Sequence, residues 1–449
     1  MTLDTIAAIA TAPGQGGIGI VRISGPDTER ILNRVFRPVS GSGKPLDSHR
    51  LVLGRLMDGE TEIDQCMAVL MRAPRSYTRE DVGELQVHGG GFVVRRALEL
   101  CLRQGARLAE PGEFTRRAFL NGRIDLSQAE AVMQLISARG EQQHQAAIRQ
   151  MEGSASRFIR EVSDQLYEIQ AGVAACIDYP EEVTEEEGRQ QLEKNLAPLI
   201  EKLRRAVDER SARLIENGLS VVLMGRPNVG KSSLLNALLG EDRAIVTDIP
   251  GTTRDTIREE IVLSGIPVSL TDTAGIRDTE DPVERIGVDR SRKAGREAEL
   301  PLLVLDASEP LTEEDLRLLD ELPAGGAVIL NKTDLPERIT PEEIRARKPG
   351  VECLVCSAKE ADSLDAVRRL IRRVTEVSDR LTVSQPRHLE AIRRAVGHLE
   401  DAERTARCLT LDLAATDLQA AQAALGEITG DQVDEKLLDR VFEKFCVGK

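Results

Sequence analysis

Residues 225–232 read GRPNVGKS and fit the pattern G-x-x-x-x-G-K-[ST]. The chemistry of that spacing is anion binding. Glycines let successive backbone N–H groups converge on phosphate oxygens, and a helix starting at the loop adds the positive end of its dipole. In such a loop Lys231 reaches the β- and γ-phosphates and the Ser232 hydroxyl ligates Mg²⁺. Asn228, Val229, Gly230 and Ser233 complete the cradle. Asn228 is open to two readings. It is a turn residue, or its carboxamide oxygen ligates a monovalent cation beside the β/γ bridge and does electrostatically what an arginine finger does.

Further motifs follow in the order a GTP hydrolase needs. DTAG at 272–275 lets Asp272 hold Mg²⁺ through water and the Gly275 N–H sense the γ-phosphate, with Thr273 and Ala274 between them. NKTD supplies Asn331, Lys332 and Asp334. The two oxygens of Asp334 can accept from N1–H and the 2-amino group of guanine. Adenine lacks that donor pair, so GTP is the expected nucleotide. SAK, with Ser357, Ala358 and Lys359, backs the base with main-chain groups. TDIPGTTRD at 247–255 is positioned as a switch loop whose Thr can ligate Mg²⁺. After DTAG, where Ras-like enzymes carry a water-positioning Gln, stands Ile276, which can do no proton chemistry. The following loop offers Glu280, Asp281 and Glu284 instead.

The elements that must hold these motifs are legible in the pattern. SVVLM, EEIVL, PVSLT, PLLVLD, GAVILN and VECLVC read as strands separated by helices and turns, an α/β unit with a mostly parallel sheet over 218–377. Residues 1–118 alternate short strands (IAAIA, GIGIVRI, HRLVLGRL, QCMAVLM) with Gly/Pro breaks, and VVRRALELCLRQG reads as a helix closed by Gly105, an α+β unit. Residues 119–217 read as helices, with RQQLEKNLAPLIEKLRRAVDERSARLIENG continuous and DYPEEVTEEEG an acidic loop. Residues 378–449 are helical again. The simplest organisation is one helical domain into which the P-loop domain is inserted. Two independent helical domains are the alternative.

Composition narrows the partners. Over 449 residues, Lys+Arg 60 against Asp+Glu 75 gives a net charge of −15, so the overall field repels polyanions and a nucleic-acid partner needs a local basic patch. No Trp, three Tyr and seven Phe argue against a base-stacking platform as the main mode of recognition. No run reaches the roughly 18 apolar residues of a membrane span, and the N-terminus carries Asp4 where a signal peptide is basic; cytoplasmic location is expected. The seven Cys are not a disulfide framework. Cys353 and Cys356 fall on one short strand and face opposite sides, with no second pair to complete a zinc site. GQGGIG at 14–19 precedes a strand and reads as a turn between paired strands. HGGG at 88–91 has no G-x-S-x-G partner for esterase chemistry. Cys446 stands fourth from the end, but the terminal Lys disfavours lipidation; it is a packed Cys or a functional thiol.

GIGIVRISG, EDVGELQVHGG, PGEFTRRAFLNGRIDLSQAEAV, TDIPGTTRD, DTAGIR, VERIG and the terminal FCVGK together resemble the tRNA modification GTPase MnmE (TrmE) family over nearly the whole chain. The resemblance implies an N-terminal folate-binding and dimerisation domain, a central helical domain and a G domain inserted in it. It implies fast intrinsic GTP hydrolysis with G domains pairing when K⁺ is bound. Asn228, the main chain of Thr247 and Ile249, and Thr252 would form the K⁺ site. Ser232 and Thr253 would ligate Mg²⁺, and Asp248, Pro250 and Gly251 would lie along the nucleotide. Glu284 would position the catalytic water through a bridging water. Arg22, Glu84 and Arg123 fall at tetrahydrofolate-contacting places, with Lys449 reaching the same site; the folate is the 5-formyl or 5,10-methylene form. The family works as a homodimer and as a heterotetramer with the FAD-dependent MnmG protein, installing a carboxymethylaminomethyl or aminomethyl group at C5 of the wobble uridine of certain tRNAs. A GTP-switched ribosome assembly factor would need an RNA-binding appendage that the terminal helices lack. A folate protein in which GTP only regulates is the third reading.

Overall fold

The computed structural model describes residues 4–39, 46–179, 181, 183–240, 258–272, 298–378 and 383–448. The chain begins with β1 (Ile6–Ile9), β2 (Ile18–Ser24), α1 (Thr28–Val35), β3 (Phe36–Pro38), β4 (Val52–Asp58), β5 (Thr61–Met71), β6 (Val82–His88), α2 (Gly91–Arg103), β7 (Arg107–Leu108) and α3 (Glu113–Leu120). Helices follow: α4 (Leu126–Ser137), α5 (Glu141–Met151), α6 (Ser154–Asp178), α7 (Glu185–Ala206) and α8 (Glu209–Asn217). Then come β8 (Leu219–Met224), α9 (Lys231–Leu239), β9 (Arg258–Leu263), β10 (Ile266–Asp272), β11 (Leu300–Asp306), α10 (Glu313–Glu321), β12 (Ala327–Asn331), α11 (Pro341–Arg347), β13 (Glu352–Val355) and α12 (Asp365–Val374). The last helices are α13 (Pro386–Cys408), α14 (Leu411–Thr429) and α15 (Glu435–Phe442).

Contacts divide the chain into two units, one of Met1–Met133, Gln150–Ile200 and Arg394–Lys449, the other of Gln134–Arg149 and Glu201–Arg393. In the first, the sheet order is β3-β4-β5-β6-β2-β1-β7. Residues 14–17 of GQGGIG lie in the connection between antiparallel β1 and β2, as a paired-strand turn should, and Ile18 and Gly19 open β2. Period-two alternation sends Val21, Ile23 and Leu85 under α1 and α2, where they pack with Ile31, Leu32, Ala97 and Leu100. The same alternation turns Arg22 and Glu84 to the other face. The helical blocks from before and after the α/β stretch pack together here: α6 lies against α14, and Gln170 Nε2 donates to the Leu418 carbonyl at 3.0 Å.

In the second unit the sheet order is β13-β12-β11-β8-β10-β9, with only β9 antiparallel to its neighbour. Every residue of β11 and β12 is buried, which explains why these strands read as continuous apolar runs rather than alternating ones. Their two faces feed separate cores, one around Leu302, Val304 and Ile329, the other around Leu303, Leu305 and Leu330. Strand order reverses beside β8, so the carboxyl ends of β8, β10, β11, β12 and β13 open onto one edge, where α/β sheets bind ligands.

Two expectations are corrected. The helix read as continuous to 217 breaks at Val207–Asp208, because the Asp208 carboxylate accepts from Ser211 N at 3.0 Å and caps a new helix. The acidic loop is shorter than expected. Thr184 Oγ1 accepts from Glu187 N at 3.3 Å while Glu187 accepts from Thr184 N at 3.0 Å, a capping box that places Glu185, Glu186 and Glu187 in the first turn of α7, where negative charge suits the helix dipole.

Candidate functional site

The phosphate loop joins β8 to α9. Two of its glycines are required by close approach: a Cβ on Gly225 (φ +141°) would meet the Val304 carbonyl at 2.3 Å, and one on Gly230 (φ +96°) would meet Asn331 Nδ2 at 2.2 Å. Asn228 is exposed and sits at φ +66°, a left-handed conformation that Asn tolerates better than most residues. Lys231 is only 4% exposed, and its Nζ donates to the carbonyls of Gly225 and Arg226, both at 2.7 Å. The ammonium is thereby held over the loop. Ser232 and Ser233 follow in the exposed first turn of α9, and Val229 is buried.

The guanine motifs are braced against this loop. Asn331, 1% exposed, donates from Nδ2 to the Val229 carbonyl at 2.9 Å and accepts at Oδ1 from Ala358 N at 3.1 Å. Lys332 turns back in the left-handed region (φ +67°), and its Nζ donates to Asp306 Oδ2 at 2.6 Å. Burial pushes the Asp306 carboxyl up, but Lys332 and the Ser308 N–H and hydroxyl outweigh it and hold it below the usual range. Asp334 accepts from Lys359 Nζ at 2.8 Å and Ser357 Oγ at 2.9 Å; Lys359 and then Ser357 keep it ionised below the usual carboxylate range. Ser357 is itself pinned by Ser363, whose Oγ accepts from Ser357 N at 2.9 Å and donates to its carbonyl at 2.7 Å.

The structure thus gathers the phosphate loop, Asn331, Lys332, Asp334, Ser357, Ala358 and Lys359 at one sheet edge. Asp272 ends β10 opposite Leu223 of β8, at the same edge. Thr247, Asp248, Ile249, Pro250, Gly251, Thr252, Thr253, Thr273, Ala274, Gly275 and Glu284 lie outside the described residues. Three residues escaped sequence reading. Asp306 anchors Lys332; its signal was an acid ending the strand PLLVLD. Arg226 pairs with the buried Asp315 at 2.8 Å, and Ser363 pins Ser357. Cys353 lies on β13 and Cys356 just past its end rather than on the strand; they belong to opposite cores, and burial pushes their thiols up to about 11 and about 12.

A second candidate site lies in the first unit. Arg22 and Glu84 are direct partners in the antiparallel register of β2 and β6, and Arg22 Nε donates to Glu84 Oε1 at 2.9 Å. They line a cavity of about 270 Å³ with Met71, Tyr77, Val82 and Met151. The Arg22 guanidinium lies 5.8 Å from the ring centres of both Tyr77 and Phe114, and its Nη1 donates to the Gly448 carbonyl at 3.4 Å. Lys449 lies outside the described residues, but its neighbour is therefore at this site. Cys446 is exposed, and its carbonyl accepts from Gly112 N at 3.4 Å. Arg123 stands at a neighbouring cavity of about 560 Å³, its guanidinium 5.0 Å from the Tyr77 ring centre and its Nη1 donating to the Ser76 carbonyl at 2.8 Å. A paired carboxylate and guanidinium beside an aromatic ring suit a flat heterocycle with both donors and a negative group.

Known proteins resemble the chain over its whole length. Residues 5–123 match the family described as the GTP-binding protein TrmE N-terminus, and residues 126–446 match the MnmE helical domain. The tRNA modification GTPase MnmE of Symbiobacterium thermophilum is 48% identical over 99% of this chain and 99% of its own. That of Heliobacterium modesticaldum is 47% identical over 100% of both, and that of Geobacillus kaustophilus 46% identical over 99% of both. Among solved structures, the G domain of the T. maritima FeoB iron transporter is 27% identical, covering 35% of this chain and 99% of that one, with a TM-score of 0.28.

Proposed function

Since the chain belongs to the tRNA modification GTPase MnmE family, we propose that it is a K⁺-dependent GTP hydrolase whose cycle drives folate-dependent modification of the tRNA wobble uridine. Membership makes it a GTP hydrolase acting in tRNA modification, with Mg²⁺ accompanying the nucleotide. GTP and water become GDP, phosphate and a proton.

The residues divide that task. The backbone N–H groups from Asn228 to Ser233 cradle the phosphates, and Lys231 turns its N–H bonds from the loop carbonyls to β- and γ-oxygens. Asp334 accepts from guanine, with Asn331, Lys332, Ser357, Ala358 and Lys359 framing the base. The Ser232 hydroxyl fits a Mg²⁺ site, with Thr253 as second ligand and Asp272 acting through water. Asn228 carries the K⁺ reading: it is exposed within the phosphate loop, and its carboxamide has no hydrogen-bond partner among the described residues. With Thr247, Ile249 and Thr252 it would hold K⁺, which supplies positive charge where the β/γ bridging oxygen becomes negative. Glu284 orients the water that Ile276 cannot, and the Gly275 N–H reads the γ-phosphate. Hydrolysis in KCl against NaCl at equal ionic strength tests this. A large K⁺-specific gain that Asn228→Ala removes is expected; equal, slow rates in both salts would sink it.

The Arg22–Glu84 cavity suits a folate. Glu84 can accept from the pterin's amino and ring N–H groups, while Arg22, Arg123 and Lys449 meet carboxylates. A 5-formyl- or 5,10-methylene-tetrahydrofolate supplies a one-carbon unit, and Cys446, exposed near the site, is a candidate functional thiol. The product is a carboxymethylaminomethyl or aminomethyl group at C5 of the uridine, made with the FAD-dependent MnmG protein by a homodimer of this chain in a heterotetramer. No helix among the described residues is long and apolar enough to cross a membrane, and a cytoplasmic setting fits the tRNA substrate. The domain limits that go with this reading are 1–118, 119–217, 218–377 and 378–449.

A further inference from the structure

The larger cavity has a chemistry of its own. Its charged lining residues are Arg75, Arg79 and Arg123, with His49 beside them, and among the described residues no carboxylate lines it. In a chain of net charge −15 such a concentration of cations is an exception, and its field attracts an anion. Guanidinium groups meet carboxylates through paired N–H donors, so several of them along one cavity suit a ligand with repeated carboxylates. Two lining residues also hold unusual backbone. His49 (φ +62°) and Arg79 (φ +61°) are non-glycine residues in the left-handed region, a form of strain that clusters at binding sites. Each is fastened in place: His49 N donates to the Leu70 carbonyl at 2.7 Å, and Arg79 Nη1 to the Asn121 carbonyl at 3.0 Å.

Position decides what the anion is. Met71 and Tyr77 line both this cavity and the Arg22–Glu84 cavity. The Tyr77 ring has the Arg22 guanidinium 5.8 Å and the Arg123 guanidinium 5.0 Å from its centre. One ligand can therefore present a heterocycle to Glu84 and trail a chain of negative charge past Tyr77. We propose that the cavity lined by His49, Arg75, Arg79 and Arg123 binds the γ-linked glutamate tail of a folate, and that the protein selects polyglutamylated over monoglutamylated tetrahydrofolate. This rests on the folate reading of the Arg22–Glu84 site. Each added γ-glutamate carries one more carboxylate, and Arg75, Arg79 and Arg123 line the cavity past Tyr77 that would receive them. A nucleic-acid phosphate backbone is the less suitable occupant, because duplex phosphates are met by an extended basic stripe rather than a pocket continuous with a heterocycle site.

Titration of the full-length chain with the monoglutamate and pentaglutamate forms of tetrahydrofolate, at one salt concentration, tests the proposal. The pentaglutamate is expected to bind about tenfold more tightly, two or three partly exposed charge pairs contributing. In the Arg75→Ala, Arg79→Gln double variant that ratio is expected to fall to about one. Because the readout is a ratio within one protein, lost folding cannot imitate it, and where the double variant fails to fold the single Arg75→Gln variant, at an exposed position, carries the same comparison. Equal affinities in the wild type would overturn the proposal and leave the folate reading standing. Binding of neither form would overturn the folate reading and this proposal with it. A ratio that survives in the variant while tRNA binding falls would assign the cavity to nucleic acid and overturn the proposal as well.

Discussion

The Asn331 carboxamide donates to the Val229 carbonyl at 2.9 Å and accepts from Ala358 N at 3.1 Å, so one buried side chain ties the phosphate loop to both base-binding segments. It explains why Gly230 has no room for a Cβ: Asn331 Nδ2 occupies that space. A base-site residue thus sets the position of the phosphate loop.

Asn331→Ala should therefore do more than weaken base contacts. It leaves a buried carbonyl and an N–H without their partner, at a cost of about 1–3 kcal/mol for each unsatisfied group. The expected result is a lower unfolding midpoint together with weakened binding of GDP and of inorganic diphosphate, which has no base. Diphosphate affinity equal to wild type would refute the bracing role.

Asp334 is expected to govern the choice of base, and its pH response follows from its neighbours. Lys359, and after it Ser357, hold its carboxyl below the usual range, so the anion persists to lower pH than in a free Asp. GDP affinity should stay flat as pH falls to about 4, the ordinary carboxylate value. Removing the cation in Lys359→Ala lets the carboxyl rise, and the falling limb moves to higher pH. Lys359 is 76% exposed, so added salt should shrink that displacement. Asp334→Ala should cost about a hundredfold in preference for GDP over ADP, since the donor pair of guanine then meets no acceptor. Titrations from pH 8 to pH 4 with both nucleotides read all of this.

The strands of the α/β unit were legible because β11 and β12 are buried on both faces, and a doubly covered strand writes itself as an unbroken apolar run. The phosphate loop and NKTD were legible because each follows a mostly buried strand, β8 and β12, whereas SAK follows β13, in which Cys353 alone is buried. Pairings distant in the chain were not. Nothing local marks Arg22 and Glu84 as partners; they meet only through the β2–β6 register. The helix break at Asp208 did have a local signal, an Asp three residues before Ser211, but the helical periodicity on either side hid it. The left-handed backbone at Arg79 has no composition cue, because Arg does not favour it, and at His49 the cue is only the mild preference of His for that region.

The charge network under α3 should govern acid stability in the first unit. Arg117, whose side chain is 13% exposed, pairs with Asp4 at 2.7 Å, Glu113 at 3.0 Å and Glu80 at 3.2 Å. Burial pushes Glu113 and Asp4 up, but their arginine partners, with the Glu110 N–H at Glu113, outweigh it and hold both carboxyls below their ordinary values. A lowered folded pKa contributes stability that is present above the unfolded pKa, about 4, and is lost as pH falls through the folded values. The wild type should therefore lose stability steeply below pH 4. Arg117→Ala should cost about 1–2 kcal/mol at pH 7, because Asp4 and Glu113 keep Arg107 at 2.7 and 2.6 Å while Glu80 loses its guanidinium, and should show a shallower acid limb. Urea unfolding of the full chain at pH 7, 5 and 3 measures both; an unchanged acid limb in the variant would show that the network is not what titrates.

Thiol chemistry should separate the seven cysteines by burial alone. Burial pushes Cys66, Cys101 and Cys356 up to about 12 and Cys353 to about 11, so at pH 8 almost no thiolate forms at these positions. Cys408 and Cys446 are exposed, and Cys176 is half-buried. An aromatic disulfide reagent should titrate Cys408 and Cys446 rapidly, Cys176 more slowly, and the remaining four only on unfolding. Cys446 should then respond to the site beside it. The Gly448 carbonyl accepts from Arg22, so a folate that engages Arg22 restrains the terminal turn carrying Cys446. Saturating tetrahydrofolate is expected to slow labelling of Cys446 several-fold while Cys408, remote in sequence and on the last turn of α13, reacts at its original rate. Mass spectrometry of labelled peptides distinguishes the two. Equal slowing at both, or at neither, would detach the C-terminal turn from the folate site and remove the reason for giving Cys446 a role there.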